Sequence, residues 1–166
     1  MTRQILPFTQ DSFAFNVYAG KATNFTKSDI DRQVALITEE LKETVEGLQA
    51  NSVVEVLDGT VDILVVTLGL LQKLQYAGVN IDGALSAVAE NNLSKFTKSE
   101  EIANLSVASY EKKGEKVYVT KFGDLYIIKR LSDDKVMKPI DFKSVELTSF
   151  VPEELLENGF SEQVLQ

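Results

Sequence analysis

Apolar residues recur at helical spacing over residues 28–76, in two segments separated by a short polar break. The first segment carries one apolar stripe, formed by Val34, Ile37, Leu41, Val45 and Leu48. This spacing predicts an amphipathic helix, with Ser28 or Asp29 as its N-cap. The second segment, residues 52–76, is apolar nearly all round, which predicts a central, buried helix. Its β-branched residues leave a buried strand as the alternative, although strands rarely exceed about ten residues.

After residue 76 the residue pattern first predicts further helices and then predicts extended strands. Further helices are predicted over residues 82–96 and 99–112, and two short strands follow, Val117–Val119 and Leu125–Ile128. The pattern predicts a mainly α protein. Residues 1–113 would form a bundle of four to five helices, and residues 114–166 a small C-terminal β-hairpin appendage, packed on the bundle or on a partner subunit.

Carboxylates interrupt both long segments at helical spacing. The first segment carries Glu39, Glu40, Glu43 and Glu46, and the second carries Glu55, Asp58 and Asp62. The first set alone is typical of an ordinary solvated helix face. The second set lies in an apolar helix whose residues 53–72 include no Lys or Arg. Buried carboxylates are costly unless they are paired or bind a metal ion.

A helical hairpin that turns near Ala50 and Asn51 would bring the two sets face to face, because residues equidistant from the turn lie at one level. The predicted levels are Glu46 with Glu55, Glu43 with Asp58, and Glu39 with Asp62, with Glu40 between the last two. Carboxylates this close repel one another. A divalent cation makes such a cluster favourable, so the spacing predicts a cation site.

Composition narrows the chemistry of this site. The chain has no cysteine and no histidine, so a metal ion would be held by oxygen, which favours magnesium, manganese or calcium. Magnesium held by carboxylates typically bridges to substrate phosphates, where a water molecule attacks phosphorus. The net charge of -8 argues against nucleic acid as a partner, although it also serves solubility.

The candidate membrane span Val53–Leu71 contains three acids, which oppose insertion. We therefore expect a soluble cytoplasmic protein without membrane contact. A second polar motif ends the predicted third helix, where Asn92 and Lys95 lie one turn apart. The pair suits a phosphate-binding role and equally suits an ordinary polar helix end, where a lysine interacts with the helix dipole.

Together these motifs resemble a known family. Glu40-x-x-Glu43, then Glu55-x-x-Asp58-x-x-x-Asp62, then Asn92-Leu-Ser-Lys95 is similar to the series in MazG-like all-α nucleoside triphosphate pyrophosphohydrolases. The resemblance covers residues 28–96 and looks closest to the compact branch often carried by phages. The C-terminal hairpin resembles tails of that branch more weakly.

The resemblance implies hydrolysis of a (d)NTP to the (d)NMP and pyrophosphate with Mg²⁺, for which Mn²⁺ is a possible substitute. It implies Glu39, Glu40 and Glu43 as catalytic residues, with Glu39 as base or outer-shell ligand. The implied metal ligands are Glu40, Glu43, Glu55 and Asp58, with Asp62 as a further ligand or substrate contact. Asn92 and Lys95 would contact substrate. The family forms homodimers or homotetramers.

Alternatives to this reading stay open. If Asp62 were the signature aspartate, Gly59 would stand where the family has glutamate, which would suit a non-catalytic acidic bundle that binds a protein partner. A phosphohydrolase acting on another nucleotide-like substrate is a third reading, because the family resembles phosphoribosyl-ATP hydrolases. The N-terminal aromatic residues either pack on the bundle or stack on a flat ligand. They are Phe8, Phe13, Phe15, Tyr18 and Phe25.

Overall fold

The computed structural model describes residues 5–23 and 25–160. The described part is mainly helical and carries one antiparallel β-hairpin, which confirms the predicted fold class. The elements in chain order are α1 (Ile5–Tyr18), α2 (Lys27–Gln49), α3 (Val53–Tyr76), α4 (Ile81–Leu93), α5 (Glu100–Lys112), β1 (Val117–Phe122), β2 (Leu125–Arg130) and α6 (Glu153–Asn158), with a 3₁₀ turn at Thr148–Phe150 before α6.

The chain divides into two compact units. Unit 1 comprises the chain up to Ile81 together with the segment from Thr148 onward, and unit 2 comprises Asp82–Leu147. The sequence suggested a different division, into a helical bundle of residues 1–113 and an appendage of residues 114–166. That division stays a prediction. Residues 1–4, 24 and 161–166 of the two predicted regions lie outside the described residues.

Unit 1 is built on a hairpin of the two long helices. α2 begins with a capping box, in which the Thr26 side chain accepts from the Asp29 amide and the Asp29 carboxylate accepts from the Thr26 amide. The N-cap is therefore Thr26, and the prediction of Ser28 or Asp29 was wrong. The hairpin turns at Asn51, which adopts a φ of 55°, a conformation that asparagine tolerates well. Ser52 then caps α3 by accepting from the Glu55 amide.

The prediction that α3 is buried on all sides is wrong for the single chain. Val53 is 82% exposed and Leu57 is 64% exposed, and on α2 Leu48 is 69% exposed. The apolar stripes lie open because α2 contacts α3 through small residues, with Gly47 against Glu55 and Gly59 against Thr44. Hydrophobic periodicity identified the apolar faces correctly, but it does not say what covers them.

The core of unit 1 lies at the open end of this hairpin, away from the turn. Phe25, Ile30, Leu68 and Val79 are buried there. The segment after Thr148 returns to the same region, where the Asn80 amide donates to the Phe150 carbonyl. The hairpin is thus anchored at one end, while its turn end carries the exposed apolar stripes.

Unit 2 is organised around the β-hairpin. β1 and β2 pair in a register that sets Val119 opposite Ile128, and Ile128 is fully buried. α5 contacts both strands. Short bridges join Thr97 to Tyr126 and Val136 to Lys129. In the described part of the chain, no helix combines the length and the apolar character that a membrane span requires.

Candidate active site

Two glycines lie at close contacts between α2 and α3. A Cβ atom at Gly47 would lie 2.7 Å from Glu55 Cβ, and one at Gly59 would lie 3.1 Å from the Thr44 amide nitrogen. Glycine permits this close separation of the two backbones, so these contacts help to determine which side chains face one another. Farther from the turn, Gly69 meets the flexible end of the Gln33 side chain.

Glu40 lies at the centre of the resulting group of carboxylates. It is half-buried, and burial raises its pKa, with the neighbouring charges acting in the same direction. Of these charges Asp62 acts most strongly, followed by Glu43, Glu39 and Asp58. Four of the predicted acids therefore lie near enough to Glu40 for their charges to raise its pKa. Crowded carboxylates of this kind favour a bound proton or a cation.

The remaining acids of the group are more open to solvent. Asp62 is half-buried, whereas Glu39, Glu43, Glu55 and Asp58 are exposed. Glu55 lies against Gly47, nearer the turn than Glu40. Among the described residues, none of the predicted ligands forms an ion pair with Lys or Arg.

The described residues contain no group of three or more acids arranged closely enough to hold a metal ion. The assignment of Glu40, Glu43, Glu55, Asp58 and Asp62 as ligands thus stays a prediction. The donor chemistry fits Mg²⁺, since oxygen atoms of carboxylates are its usual protein ligands and it commonly keeps several water molecules.

Asn92 and Lys95 lie in unit 2 and contact each other. Asn92 is the penultimate residue of α4, and the Lys95 ammonium donates to Asn92 Oδ1 over 2.7 Å. The two side chains therefore lie on the same face, as their spacing predicted. Their role toward a substrate stays a prediction.

Several polar side chains of unit 1 form hydrogen bonds that the sequence did not predict. Gln33 Nε2 donates to the Val66 carbonyl over 2.8 Å, and Gln72 Nε2 donates to the Phe13 carbonyl over 3.2 Å. Lys73 is buried and donates to the Lys21 carbonyl over 2.7 Å. Burial lowers the pKa of Lys73, and the Asp29 charge opposes this. The sequence did offer one sign of this buried lysine, because Lys73 is a single lysine in an otherwise apolar helix.

The N-terminal aromatic residues differ in their surroundings. Phe25 is buried and its ring centroid lies 5.6 Å from that of Phe160. Phe15 is 60% exposed and Tyr18 is 87% exposed. Packing on the hairpin region thus describes Phe25, while Phe15 and Tyr18 have room for a flat ligand.

One comparison with known proteins gives a match. Residues 17–92, a little less than half of the chain, match the family model of phosphoribosyl-ATP pyrophosphohydrolase, and this segment contains the whole of α2 and α3 with all the predicted acidic ligands. No curated protein and no solved structure matches the chain significantly. Residues 17–92 are thus similar to a pyrophosphohydrolase family of the MazG-like all-α nucleoside triphosphate pyrophosphatase superfamily, as the motifs predicted.

Proposed function

We propose that this protein hydrolyses a nucleoside triphosphate between its α- and β-phosphates in a Mg²⁺-dependent reaction, releasing the monophosphate and pyrophosphate. The observation that carries the proposal is the acidic group on the α2–α3 hairpin. Burial and the charges of Asp62, Glu43, Glu39 and Asp58 raise the pKa of Glu40, and the described residues supply these acids with no ion-paired lysine or arginine. A divalent cation would neutralise the group.

The roles follow from the matched motif. Glu40, Glu43, Glu55 and Asp58 are the proposed ligands. Asp62 is a further ligand or substrate contact. Bound Mg²⁺ would supply charge neutralisation at the phosphates during displacement at phosphorus.

Other residues of the chain have roles that do not require metal ligation. Glu39, which is exposed and next to Glu40 in the chain, would accept the proton of the attacking water. Lys95 and Asn92 offer an ammonium and an amide for substrate phosphates. Because the Lys95 ammonium already donates to Asn92 Oδ1, the lysine is held in position, and the Asn92 amide nitrogen is directed away from it.

Phosphoribosyl-ATP is a second candidate substrate, because it is the substrate named in the matching family model. The matched model is that of phosphoribosyl-ATP pyrophosphohydrolase, whose reaction also breaks an α–β phosphoric anhydride. The same carboxylates would serve either substrate, since the reacting group is shared. Nucleobase and sugar contacts would then decide between a (d)NTP and phosphoribosyl-ATP.

The test is a substrate panel with the full chain. Each dNTP, each NTP and phosphoribosyl-ATP is incubated with the protein in Mg²⁺ or EDTA, and nucleotide products, pyrophosphate and orthophosphate are quantified. We expect equal amounts of monophosphate and pyrophosphate from at least one substrate, only with Mg²⁺. Release of orthophosphate alone would place the cleavage elsewhere. No turnover together with no Mg²⁺-dependent thermal shift would favour an acidic bundle that binds a protein partner.

We also propose that two copies associate through the exposed apolar stripes of α2 and α3. The exposed members on α3 are Val53, Val54, Leu57, Val61 and Leu64, and those on α2 are Val34, Leu41, Val45 and Leu48. Burial of one such side chain stabilises a complex by about 1.5–3 kcal/mol before the cost of association is counted. A second copy presents the same faces, which gives a homodimer or, with a further interface, a homotetramer.

Light scattering on the purified protein tests this association. Leu57→Glu introduces a charge into the stripe and should convert the oligomer to monomer. Leu131→Glu is the matched control, because Leu131 is 61% exposed and Leu57 is 64% exposed, while Leu131 lies outside the stripes. A monomeric wild-type protein, or equal dissociation by both variants, would contradict the proposal.

A further inference from the structure

A short segment of unit 2 is fastened along one face of α5. This segment, residues 138–142, is called the strap. The Ser106 hydroxyl is fully buried, donates to the Ile102 carbonyl and accepts from the Ile140 amide over 2.8 Å. The Tyr110 hydroxyl donates to the Lys138 carbonyl over 2.9 Å. Two side chains of the helix therefore hold the strap in place, so the space beside them is formed in advance.

A cavity of about 170 Å³ lies between the strap and α5. Its helix wall comes from Ser106, Ser109, Tyr110 and Lys113, whose spacing of three, four and seven residues places them on one helix face. Lys138 and Phe142 contribute to the wall from the strap. Every residue named here belongs to unit 2.

The two lysines of this cavity are both positioned by aromatic rings. Lys113 Nζ lies 5.7 Å from the centroid of Tyr110, and Lys138 Nζ lies 4.6 Å from that of Phe142. Cation–π contacts of this kind restrict the ammonium groups. The described residues that line the cavity include no aspartate or glutamate. Two cations in one cavity without an acid repel each other, and an anion between them removes that repulsion.

We propose that this cavity binds a phosphate-type oxyanion, such as orthophosphate, pyrophosphate or a phosphoryl group. Lys113 and Lys138 supply the positive charge, and the Ser109 hydroxyl supplies a hydrogen-bond donor. The volume suits a small oxyanion, because cavities for larger organic ligands occupy roughly 300–1,000 Å³. The site consists of residues different from the carboxylates of the proposed reaction, and it does not depend on that reaction.

A neighbouring cavity of unit 2 shows why the anion is assigned here. That cavity is larger, about 440 Å³, and Glu90 and Asp141 contribute to its lining along with Lys143. Its carboxylates oppose an anion. The lining of the smaller cavity contains two lysines and no acid, although Asp141 of the strap contributes to the larger one, so the two linings differ in charge.

The experiment measures binding rather than turnover. Calorimetric and NMR titrations of the full chain use orthophosphate, pyrophosphate and AMP in EDTA at constant ionic strength, so that the carboxylate site lacks divalent cation. Lys113→Gln and Lys138→Gln remove one charge each and are compared with Lys112→Gln, the exposed neighbouring lysine that does not line the cavity. Circular dichroism confirms that each variant is folded.

We expect pyrophosphate to shift the amide resonances of Ser109 and Tyr110 and to bind about tenfold more weakly to either cavity variant, the loss typical of a charge-assisted hydrogen bond. Lys112→Gln should change the affinity by less than about twofold, because Lys112 does not line the cavity. AMP binding as tightly as orthophosphate would identify a nucleotide phosphoryl group as the ligand, and no AMP binding would identify free inorganic oxyanions. No binding of any probe, or equal weakening by all three variants, would overturn the proposal.

Discussion

Gly59→Ala is the substitution to which the hairpin should be most sensitive. Gly59 is buried in α3, where a Cβ atom would lie 3.1 Å from the Thr44 amide nitrogen and 3.2 Å from Thr44 Cα, and would also meet Thr44 Oγ1. The hydroxyl can rotate away, although it would then lose its 2.8 Å hydrogen bond to the Glu40 carbonyl. The backbone atoms of Thr44 cannot move without α2, so the helices must separate.

The expected size of the effect follows from two opposing contributions. Overpacking against backbone costs about 1–3 kcal/mol, whereas alanine is favoured over glycine within a helix by about 0.8–1 kcal/mol. The net loss is therefore up to about 2 kcal/mol of unfolding free energy. For a chain of this size a loss of about 2 kcal/mol lowers Tm by roughly 4–8 °C. Separation of the helices also moves Glu40 away from Asp62, so activity should fall with stability.

Urea denaturation and thermal unfolding of wild type and variant measure this loss. Thr60→Ala is the matched control, because Thr60 is the next residue of α3, is exposed, and donates its hydroxyl to the Val56 carbonyl of the same helix, so the change stays within α3. It should be neutral or slightly stabilising. If Gly59→Ala were as stable as Thr60→Ala, the close approach of α2 and α3 at Thr44 would be incorrect, together with the facing of the carboxylates that depends on it.

Two further predictions concern the charges of unit 1. Glu40→Gln should raise the Tm of the protein in EDTA, because a neutral amide replaces a half-buried carboxylate that faces Asp62; an unchanged or lower Tm would show that the acids do not repel. The pKa of Asp29 lies below the ordinary value for an aspartate, chiefly because of the hydrogen bond from the Thr26 side chain. Its contribution to stability is present above the unfolded-state pKa and is lost as pH falls through the folded-state pKa. Unfolding curves from pH 6 to about pH 3 should therefore show wild type losing its advantage over Asp29→Asn at the acid end, and a constant difference would contradict this.

The local features of the hairpin were readable from sequence because each has a local cause. The polar break before Ser52 ends one helix and caps the next, and the apolar spacing sets both lengths. The short turn also made facing levels predictable. The levels are nevertheless displaced by one to two residues, since Gly47 lies against Glu55 and Gly59 lies against Thr44, whereas the predicted level sets Glu46 with Glu55. Hydrophobic periodicity alone does not give this displacement.

The sequence did not predict what covers the apolar faces of α2 and α3. The pattern at Leu48, Val53 and Leu57 resembles that of a buried helix whether the cover comes from the same chain or from another copy. Only the three-dimensional arrangement shows these residues exposed in a single chain. The sequence also did not predict the buried Lys73 or the cavity beside the strap. Lys73 contacts Lys21, and the cavity joins α5 to the strap, so in both cases the contacting residues are distant in sequence.

Pyrophosphate release with Mg²⁺ by ligand-removing variants tests the central claim most directly. Glu43→Gln and Asp58→Asn should each abolish release and the Mg²⁺-dependent thermal shift without unfolding the protein. Asp31→Asn is the control, because Asp31 is an exposed residue of α2 that pairs with Lys27, and it should retain both. Full activity of Glu43→Gln and Asp58→Asn would show that the facing carboxylates do not hold the catalytic cation.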